Sequence, residues 1–469
     1  MSRAGSGTGG GSVPIYPSSE ITEHSLLKSP NIVITTYISV VMEGIGGYIP
    51  RLADEYLGVL LKTYGAAHIK GPKWCGKSTT AGKYARSSVC MQDKESQERS
   101  KVLARNSPAI FLKGDTPRLI DEWQSVPFIC DFVRSEVEGR GESGQFLLTS
   151  SVESDDEDHG CECDGGRCIV QMVLRTMSLF ESKDSTGEVS LKQLFDGRDF
   201  EAKVSDLSLE DYSYLICRGG WPSAVVQDEK DQALRQVRDY YSSFIGEEFQ
   251  NLRRKKRGTK KISAVMAGYA RNIATNASIA KMCRNIFADR KKSIDEDTVR
   301  DYLRDLDALF LREESPAWVP GLRSRTTVNR SPVRHFIDPS IGCAALDLRP
   351  DDMIGDLETM RRFFMSMAVR DLRIYAEMFR GHVYHYRDGD GLEADAVIGT
   401  NDGRWAAIEV ELRDSDRIEE GAKHLLRLKD KVRSDRHQEP EFLMVVTATD
   451  YAYRREDGVF VVPLGCLGP

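Results

Sequence analysis

Gly71-Pro72-Lys73-Trp74-Cys75-Gly76-Lys77-Ser78 is the stretch whose residue types and spacing most clearly could do chemistry. It reads G-x-x-x-x-G-K-S, the form of a phosphate-binding loop. Gly71 and Gly76 let the backbone curl so that its N–H groups point inward. Those donors, with the positive end of a following helix, cradle phosphate oxygens. Pro72, Lys73, Trp74 and Cys75 complete the cradle, and Thr79 belongs to the helix behind it. Lys77 is expected to reach the β- and γ-phosphates, and the Ser78 hydroxyl to ligate Mg²⁺. The flanks agree with that reading. Ala66-Ala67-His68-Ile69 reads as a short buried strand, and residues 79–85 read as a helix.

A second element follows downstream. Leu119-Ile120-Asp121-Glu122 reads as an apolar strand delivering two carboxylates at its end. Asp121 is placed to hold the Mg²⁺ shell, and Glu122 to orient or activate an attacking water. The strand that includes Leu147-Leu148 ends in Thr149 and Ser150, either of which can serve as a polar sensor of the γ-phosphate or the water. ATP and Mg²⁺ are the ligands these residues imply.

The elements that must position these groups come next. The chain has 469 residues, 40% of them apolar, and a net charge of −7. That length accommodates roughly three domains of ~150 residues. The acidic balance gives no chain-wide grip on nucleic acid. No apolar run approaches the ~20 residues of a membrane span. Ten cysteines scattered through a large chain favour a reducing cytoplasm over a disulfide framework. Residues 1–47 read as a flexible, Gly/Ser-rich extension. Ala109-Ile110-Phe111-Leu112 reads as strand-like, as do Leu311-Arg312-Glu313-Glu314 and His335-Phe336-Ile337. Strands alternating with helical segments indicate α/β architecture with a parallel sheet.

The motif set Tyr48-Ile49-Pro50-Arg51, residues 71–78, Ile120-Asp121-Glu122-Trp123, Leu147-Leu148-Thr149-Ser150, Met177-Ser178-Leu179-Phe180-Glu181 and Arg218-Gly219-Gly220-Trp221-Pro222 resembles the bacterial and archaeal AAA-type ATP-binding proteins with a C-terminal domain of unknown function. The resemblance runs from about Tyr48 to the C-terminus. It implies a P-loop NTPase core over 48–205, a helical lid over 206–255, a winged-helix-like segment over 256–330 and a restriction-endonuclease-like α/β domain over 331–469. It places Gly220 and Pro222 in the lid, over the adenine. Family members carry His-Ser-Gly-x-Gly-Arg after the sensor strand. Here His159, Gly166 and Arg167 fit only with an insertion between them. Arg167 is then a candidate arginine finger for a neighbouring subunit in an oligomer, with an ordinary surface arginine the commoner alternative.

Three further segments bear on partners. His159, Cys161, Cys163 and Cys168 offer zinc ligands, although Cys-x-Cys is tighter than the usual knuckle and a metal-free loop is the favoured reading. Residues 277–287 and 295–309 read helix, turn, helix, with Val299, Tyr302, Leu303 and Leu306 on one apolar face. The outer face of the second helix is too acidic for a phosphate-facing helix, so packing is favoured over DNA contact. The basic run 253–261 is compatible with either backbone contacts or a solvated linker. Finally, Asp395 and Glu409 match an Asp…Glu-x-Lys nuclease pattern, but Glu411 stands where lysine belongs and Met365 where a helix carboxylate belongs. A metal-dependent nuclease is therefore an alternative with half its groups missing, and a docking surface or an ATP-gated binding module with little turnover is the other. A protein partner is as compatible with such a surface as DNA.

Overall fold

The computed structural model describes residues 47–91, 94–153, 169–252, 258–286, 294–320, 331–434 and 438–469. Helix α1 (Leu52–Thr63) buries Leu57, Leu60 and Leu61, the i, i+3, i+4 stripe that an amphipathic helix turns inward. Strand β1 (Ala66–Lys70) follows and runs into the glycine loop, after which the chain forms α2 (Lys77–Tyr84) and β2 (Ser87–Cys90). Helices α3 (Lys94–Asn106) and α4 (Pro108–Phe111) lead to β3 (Arg118–Asp121), then α5 (Ile129–Arg140), β4 (Phe146–Ser150) and β5 (Ile169–Val173). The strand expected at Ala109-Ile110-Phe111-Leu112 is instead α4 and its C-cap. Pro108 at the helix start sets φ for the first turn, and Phe111 turns into the core while Ile110 stays exposed.

The five strands form one parallel sheet in the order β2-β3-β4-β1-β5. Strand β4 lies between β1 and β3, so the C-terminal ends of those three strands stand side by side. In open parallel sheets such a break in strand order opens a crevice at the carboxyl edge.

The chain then supplies β6 (Val189–Ser190), α6 (Leu191–Phe195) and β7 (Lys203–Val204), and a helical stretch of α7 (Leu209–Arg218), α8 (Pro222–Val225) and α9 (Lys230–Ser243). A π-helical turn over Phe244–Glu248 joins α9 to α10 (Phe249–Leu252). Helices α11 (Thr259–Ala270), α12 (Ile279–Ile286) and α13 (Glu296–Ala308) come next, and α13 buries Val299, Tyr302, Leu303 and Leu306 on one face. The strand pair expected around 311–314 and 335–337 reduces to isolated bridges, Arg312 with Phe336 and Ser315 with Val333. The Glu313 N–H to His335 carbonyl and Ile337 N–H to Leu311 carbonyl bonds, both 3.0 Å, join the same two stretches.

Helices α14 (Pro339–Ala345), α15 (Pro350–Gly355) and α16 (Leu357–Glu377) precede β8 (Gly381–Arg387), β9 (Glu393–Thr400) and β10 (Trp405–Val410). Helix α17 (Ser415–Ser434), β11 (Leu443–Thr447), β12 (Tyr451–Arg454), β13 (Phe460–Pro463) and β14 (Leu467–Gly468) end the chain. A mixed seven-stranded sheet has the order β7-β12-β13-β11-β10-β9-β8, so Lys203 and Val204 close an edge built otherwise from distant sequence. Strand β14 pairs in parallel with β6. One apolar core runs from Leu57 and Ile69 through Trp221, Leu303 and Phe364 to Val446 and Leu467.

Helix α16 is buried from Phe363 to Ala376, charges included. Arg370 pairs with Asp338 at 3.0 Å and with Asp371 at 2.8 Å. Asp338 also accepts the Thr176 hydroxyl at 2.6 Å and the Gly220 N–H at 2.9 Å. Burial alone would push the Asp338 carboxyl up. Arg370 and these donors outweigh it and hold it below the usual range. One carboxylate thus fastens the end of β5, the α7–α8 turn and α16 to each other. Arg175 adds a second tie, to Glu313 at 2.6 Å and to Glu377 at 2.7 Å.

Among the described residues, no helix is long and apolar enough to cross a membrane. Cys75, Cys217, Cys283, Cys343 and Cys466 carry free thiols, and Cys130 is disulfide-bonded. His159, Cys161, Cys163, Gly166, Arg167 and Cys168, the extension before residue 47, and residues 253–257 of the basic run lie outside the described residues.

Candidate nucleotide site

The glycine loop leaves β1 at the crevice. Gly71 adopts φ 154°, and a Cβ there would come within 2.3 Å of the Leu174 carbonyl oxygen, so the loop's start admits only glycine. Gly76 lies in the left-handed region at φ 103°, directly before α2. The buried Cys75 thiol donates to the Leu174 carbonyl at 3.2 Å, and burial pushes its ionisation up, so it packs as a thiol. Lys77 is 4% exposed, and its Nζ donates to the loop's own Pro72 carbonyl at 2.9 Å. Among the described residues no carboxylate pairs with this buried ammonium, which suits an anion in the loop. Thr79 lies in the first turn of α2, beside Ser78 in sequence.

Beside the loop, Ser78 Oγ donates to Asp121 Oδ1 at 2.7 Å, and Thr149 Oγ1 donates to the same oxygen at 2.6 Å. Thr149 Oγ1 in turn accepts the Glu122 backbone N–H at 3.0 Å. The strand order therefore brings Ser78, Asp121, Glu122 and Thr149 together. Ser78 and Asp121 are oxygen donors of the kind a hard divalent cation takes. Glu122 stands at φ 59°, a left-handed conformation that costs a non-glycine residue on the order of 1–3 kcal/mol. Its carboxylate accepts the Ser151 hydroxyl at 2.6 Å and the Gln124 amide.

Behind this row, His68 Nε2 accepts the Trp123 indole N–H at 2.9 Å and lies 2.8 Å from Ser150 Oγ. With that nitrogen as acceptor, the neutral ring carries its proton on Nδ1, which finds no partner among the described residues. Burial, then Lys70 and Lys77, drive the His68 pKa down to about 3. Ser150, read as an alternative sensor, thus faces the core at His68.

The helical stretch closes on the loop from the other side. Trp74, left-handed at φ 66°, stacks on Tyr240 with centroids 4.7 Å apart and packs against Phe244. Lys73 Nζ meets Glu248 at 2.5 Å. Phe244 and Glu248, four residues apart, share the helix face turned to the loop. Pro222 sits beside the loop, where its Cγ would be 3.6 Å from a Cβ on Gly76. Gly220 has both backbone groups occupied, its N–H by Asp338 and its carbonyl by Met177 N–H at 2.7 Å, and Trp221 is fully buried on Ser340. Lys73 and Trp74 were read only as members of the loop. Their aromatic and acidic partners lie about 170 residues away, and no sequence signal joins them. Arg51 and Asp54 were likewise given no role, although an acidic residue three positions after a helix start is a capping signal.

The second acidic group is different in kind. Asp395 hydrogen-bonds Glu409 and accepts the Val410 N–H at 2.9 Å. Glu411 is held by both arms of Arg361, at 2.7 and 2.8 Å. Burial, then Asp395, raise Glu409 well above the usual carboxylate range, and Asp395 is raised by burial as well, so this pair retains a proton. Arg361, from α16, sets its guanidinium against Glu411, the position the nuclease pattern reserves for lysine. Met365 is buried. Among the described residues, no group of three or more His, Cys, Asp or Glu side chains has the geometry to hold a metal ion.

A family described as a domain of unknown function (DUF8612) matches residues 209–352, and a second domain of unknown function (DUF4143) matches residues 363–467. No curated protein matches the chain. Among solved structures, the chain is similar to a Walker-type ATPase of Pyrococcus abyssi, at 12% identity and TM-score 0.37, covering 62% of this chain and 94% of that one. It is also similar to a DNA replication initiation factor, at 13% identity and TM-score 0.21, covering 55% and 86% of the two chains.

Proposed function

We propose that this chain binds ATP with Mg²⁺ and hydrolyses it, and that turnover drives a rearrangement between the parallel-sheet half and the half built on α16. The observation that carries the reading is the hydrogen-bonded row Ser78–Asp121–Thr149 beside a loop whose buried lysine bonds to the loop's own carbonyl. Lys77 and the loop N–H groups would hold phosphate oxygens, and Ser78 and Asp121 would hold the cation. Mg²⁺, when bound, would neutralise charge gathering on the phosphate oxygens. Glu122 orients the attacking water and takes its proton, and Thr149 fixes the backbone that carries Glu122. Gly220 and Pro222 belong to the turn that covers the base, with Pro222 on the near side. Asp338 and Arg175, tied at once to the sheet half and to α16, are the joints through which a rearrangement would pass.

The finer parts of the reading are a helical lid over 206–255, a winged-helix-like segment over 256–330 and a catalytically degenerate nuclease-like unit over 331–469. An oligomer with Arg167 as finger, a cytoplasmic setting, and DNA or a protein as the partner acted upon complete it.

The test is calorimetry and phosphate release on the full chain. Lys77→Ala should lose Mg²⁺-dependent ATP uptake, while Glu122→Gln should keep it and lose phosphate release. Wild-type protein that takes up neither ATP nor GTP would end the reading. A second reading, an ATP-gated binding module with little turnover, is favoured by one observation. The Glu122 carboxylate accepts both the Ser151 hydroxyl and the Gln124 amide on Oε2, and hydrogen bonds to the charged form lower its basicity toward water.

A further inference from the structure

Beneath the glycine loop lies a fully buried guanidinium that the nucleotide reading has not used. Arg51 Nη1 donates to the Cys75 carbonyl at 3.0 Å. Its Nη2 donates to the carbonyls of Arg175 at 3.0 Å and Thr176 at 3.3 Å. Its Nε donates to Glu181 Oε1 at 2.9 Å. Glu181 is itself fixed, since Oε1 also accepts the Leu52 N–H and Oε2 accepts Ser178 N–H at 2.8 Å. Asp54 locks the other flank, accepting the Arg51 N–H at 3.1 Å, the Tyr48 hydroxyl at 2.5 Å and Lys83 of α2 at 2.9 Å.

The consequence follows from the planarity of the peptide bond. In a trans peptide the carbonyl and the next N–H point in opposite directions. Holding the Cys75 carbonyl on the buried side therefore aims the Gly76 N–H toward the open side of the loop. Gly76 at φ 103° is free to flip, and nothing in its own side chain opposes a flip. A planar fork of donors is suited to the task, because Arg51 makes one bond to the loop while three other acceptors keep the fork from turning.

The geometry points to Arg51 as a positioning residue for phosphate binding: it orients the Cys75–Gly76 peptide so that the Gly76 N–H joins the cradle. This inference rests on the nucleotide reading and adds a residue outside the loop that governs it. The guanidinium does not touch the phosphates. It acts through the backbone, and at the same time through the Arg175 main chain, whose side chain holds Glu377 of α16.

The experiment compares Arg51→Lys with Glu181→Gln in the full chain, measuring ATP uptake by calorimetry in Mg²⁺, the KM and kcat of phosphate release, and the melting temperature without nucleotide. Lysine keeps the charge beside Glu181 but cannot span Glu181 and the Cys75 carbonyl together. Arg51→Lys is expected to bind ATP about tenfold more weakly or worse, with the loss in KM rather than kcat. Glu181→Gln is expected to lower the melting temperature while ATP affinity stays within about threefold of wild type. If Arg51→Lys binds ATP like wild type, or if Glu181→Gln loses affinity equally, Arg51 is only a structural ion pair and the inference is overturned. Should Arg51→Lys fail to fold, the neutral double variant Arg51→Gln with Glu181→Gln leaves no unpaired buried charge and is read by the same two outcomes. A wild-type protein that binds no ATP would instead fail the nucleotide reading itself, and that arm is seen before any variant is made.

Discussion

The Thr149 hydroxyl lies 2.6 Å from Asp121 Oδ1 and donates to it, while its oxygen receives the Glu122 N–H. One side chain thus fixes both the carboxylate assigned to the cation and the backbone of the residue assigned to the water. Thr149→Val keeps the shape and removes the hydroxyl. Leaving the Glu122 N–H without its partner should cost about 1–3 kcal/mol of stability. Phosphate release should fall about tenfold or more while ATP affinity changes little. Denaturant titration and a coupled phosphate assay check the two parts separately.

Glu122→Gln preserves size and removes the base. Loss of a positioned general base should slow phosphate release about a hundredfold or more. ATP uptake by calorimetry should remain. Ordinary turnover in this variant would remove Glu122 from its assigned role.

His68 makes the parallel-sheet half sensitive to acid. Its pKa is about 3 in the folded chain against 6.5 for the free group. Between those values the unfolded chain binds a proton that the folded one refuses. The stabilisation is therefore fully present above 6.5 and is lost as pH falls toward 3. The full span is worth on the order of 5 kcal/mol. Urea midpoints at about pH 7.5 and about pH 4.5 should differ more for wild type than for His68→Gln, whose amide oxygen can still accept from Trp123.

The Asp395–Glu409 pair has the opposite sign. Both carboxyls are raised in the folded chain, so their contribution is present below the ordinary carboxylate pKa and is lost as pH rises through the raised values. Glu409→Gln supplies a permanent N–H donor to Asp395. It should stabilise the chain by about 1–2 kcal/mol at mildly alkaline pH, and its advantage should vanish in acid. Melting curves across pH check this. Plasmid incubated with Mg²⁺ or Mn²⁺ should stay intact with wild-type protein.

Much of the site was readable because it depends on local order. The glycine loop, Asp121 and Glu122 announce themselves through strand-then-polar spacing, and the parallel sheet follows from their alternation with helices. Thr149 was readable as a strand end, but its choice over Ser150 was not. Alternation along β4 turns one hydroxyl to Asp121 and the next to His68, and only the register fixes which. The run 109–112 misled because four apolar residues carry no period, and Pro108 decided the matter in favour of a helix. Residues 311–315 and 333–337 do pair backbone to backbone, Glu313 N–H to His335 and Ser315 with Val333, but as separate bridges rather than a long ladder. Contacts such as Trp74 on Tyr240, Arg361 on Glu411 and Arg51 under Cys75 join distant positions by shape alone, and a single sequence has no periodicity that records them.

The pairing of β7 with β12 and of β6 with β14 has a consequence for anyone cutting the gene. A fragment ending before α16 would expose two orphaned strand edges and strip Asp338 of its guanidinium. The complementary fragment would lack the border strand that pairs with Tyr451 and Ala452. Each piece would invite self-association, so the chain is expected to resist dissection and to survive only intact.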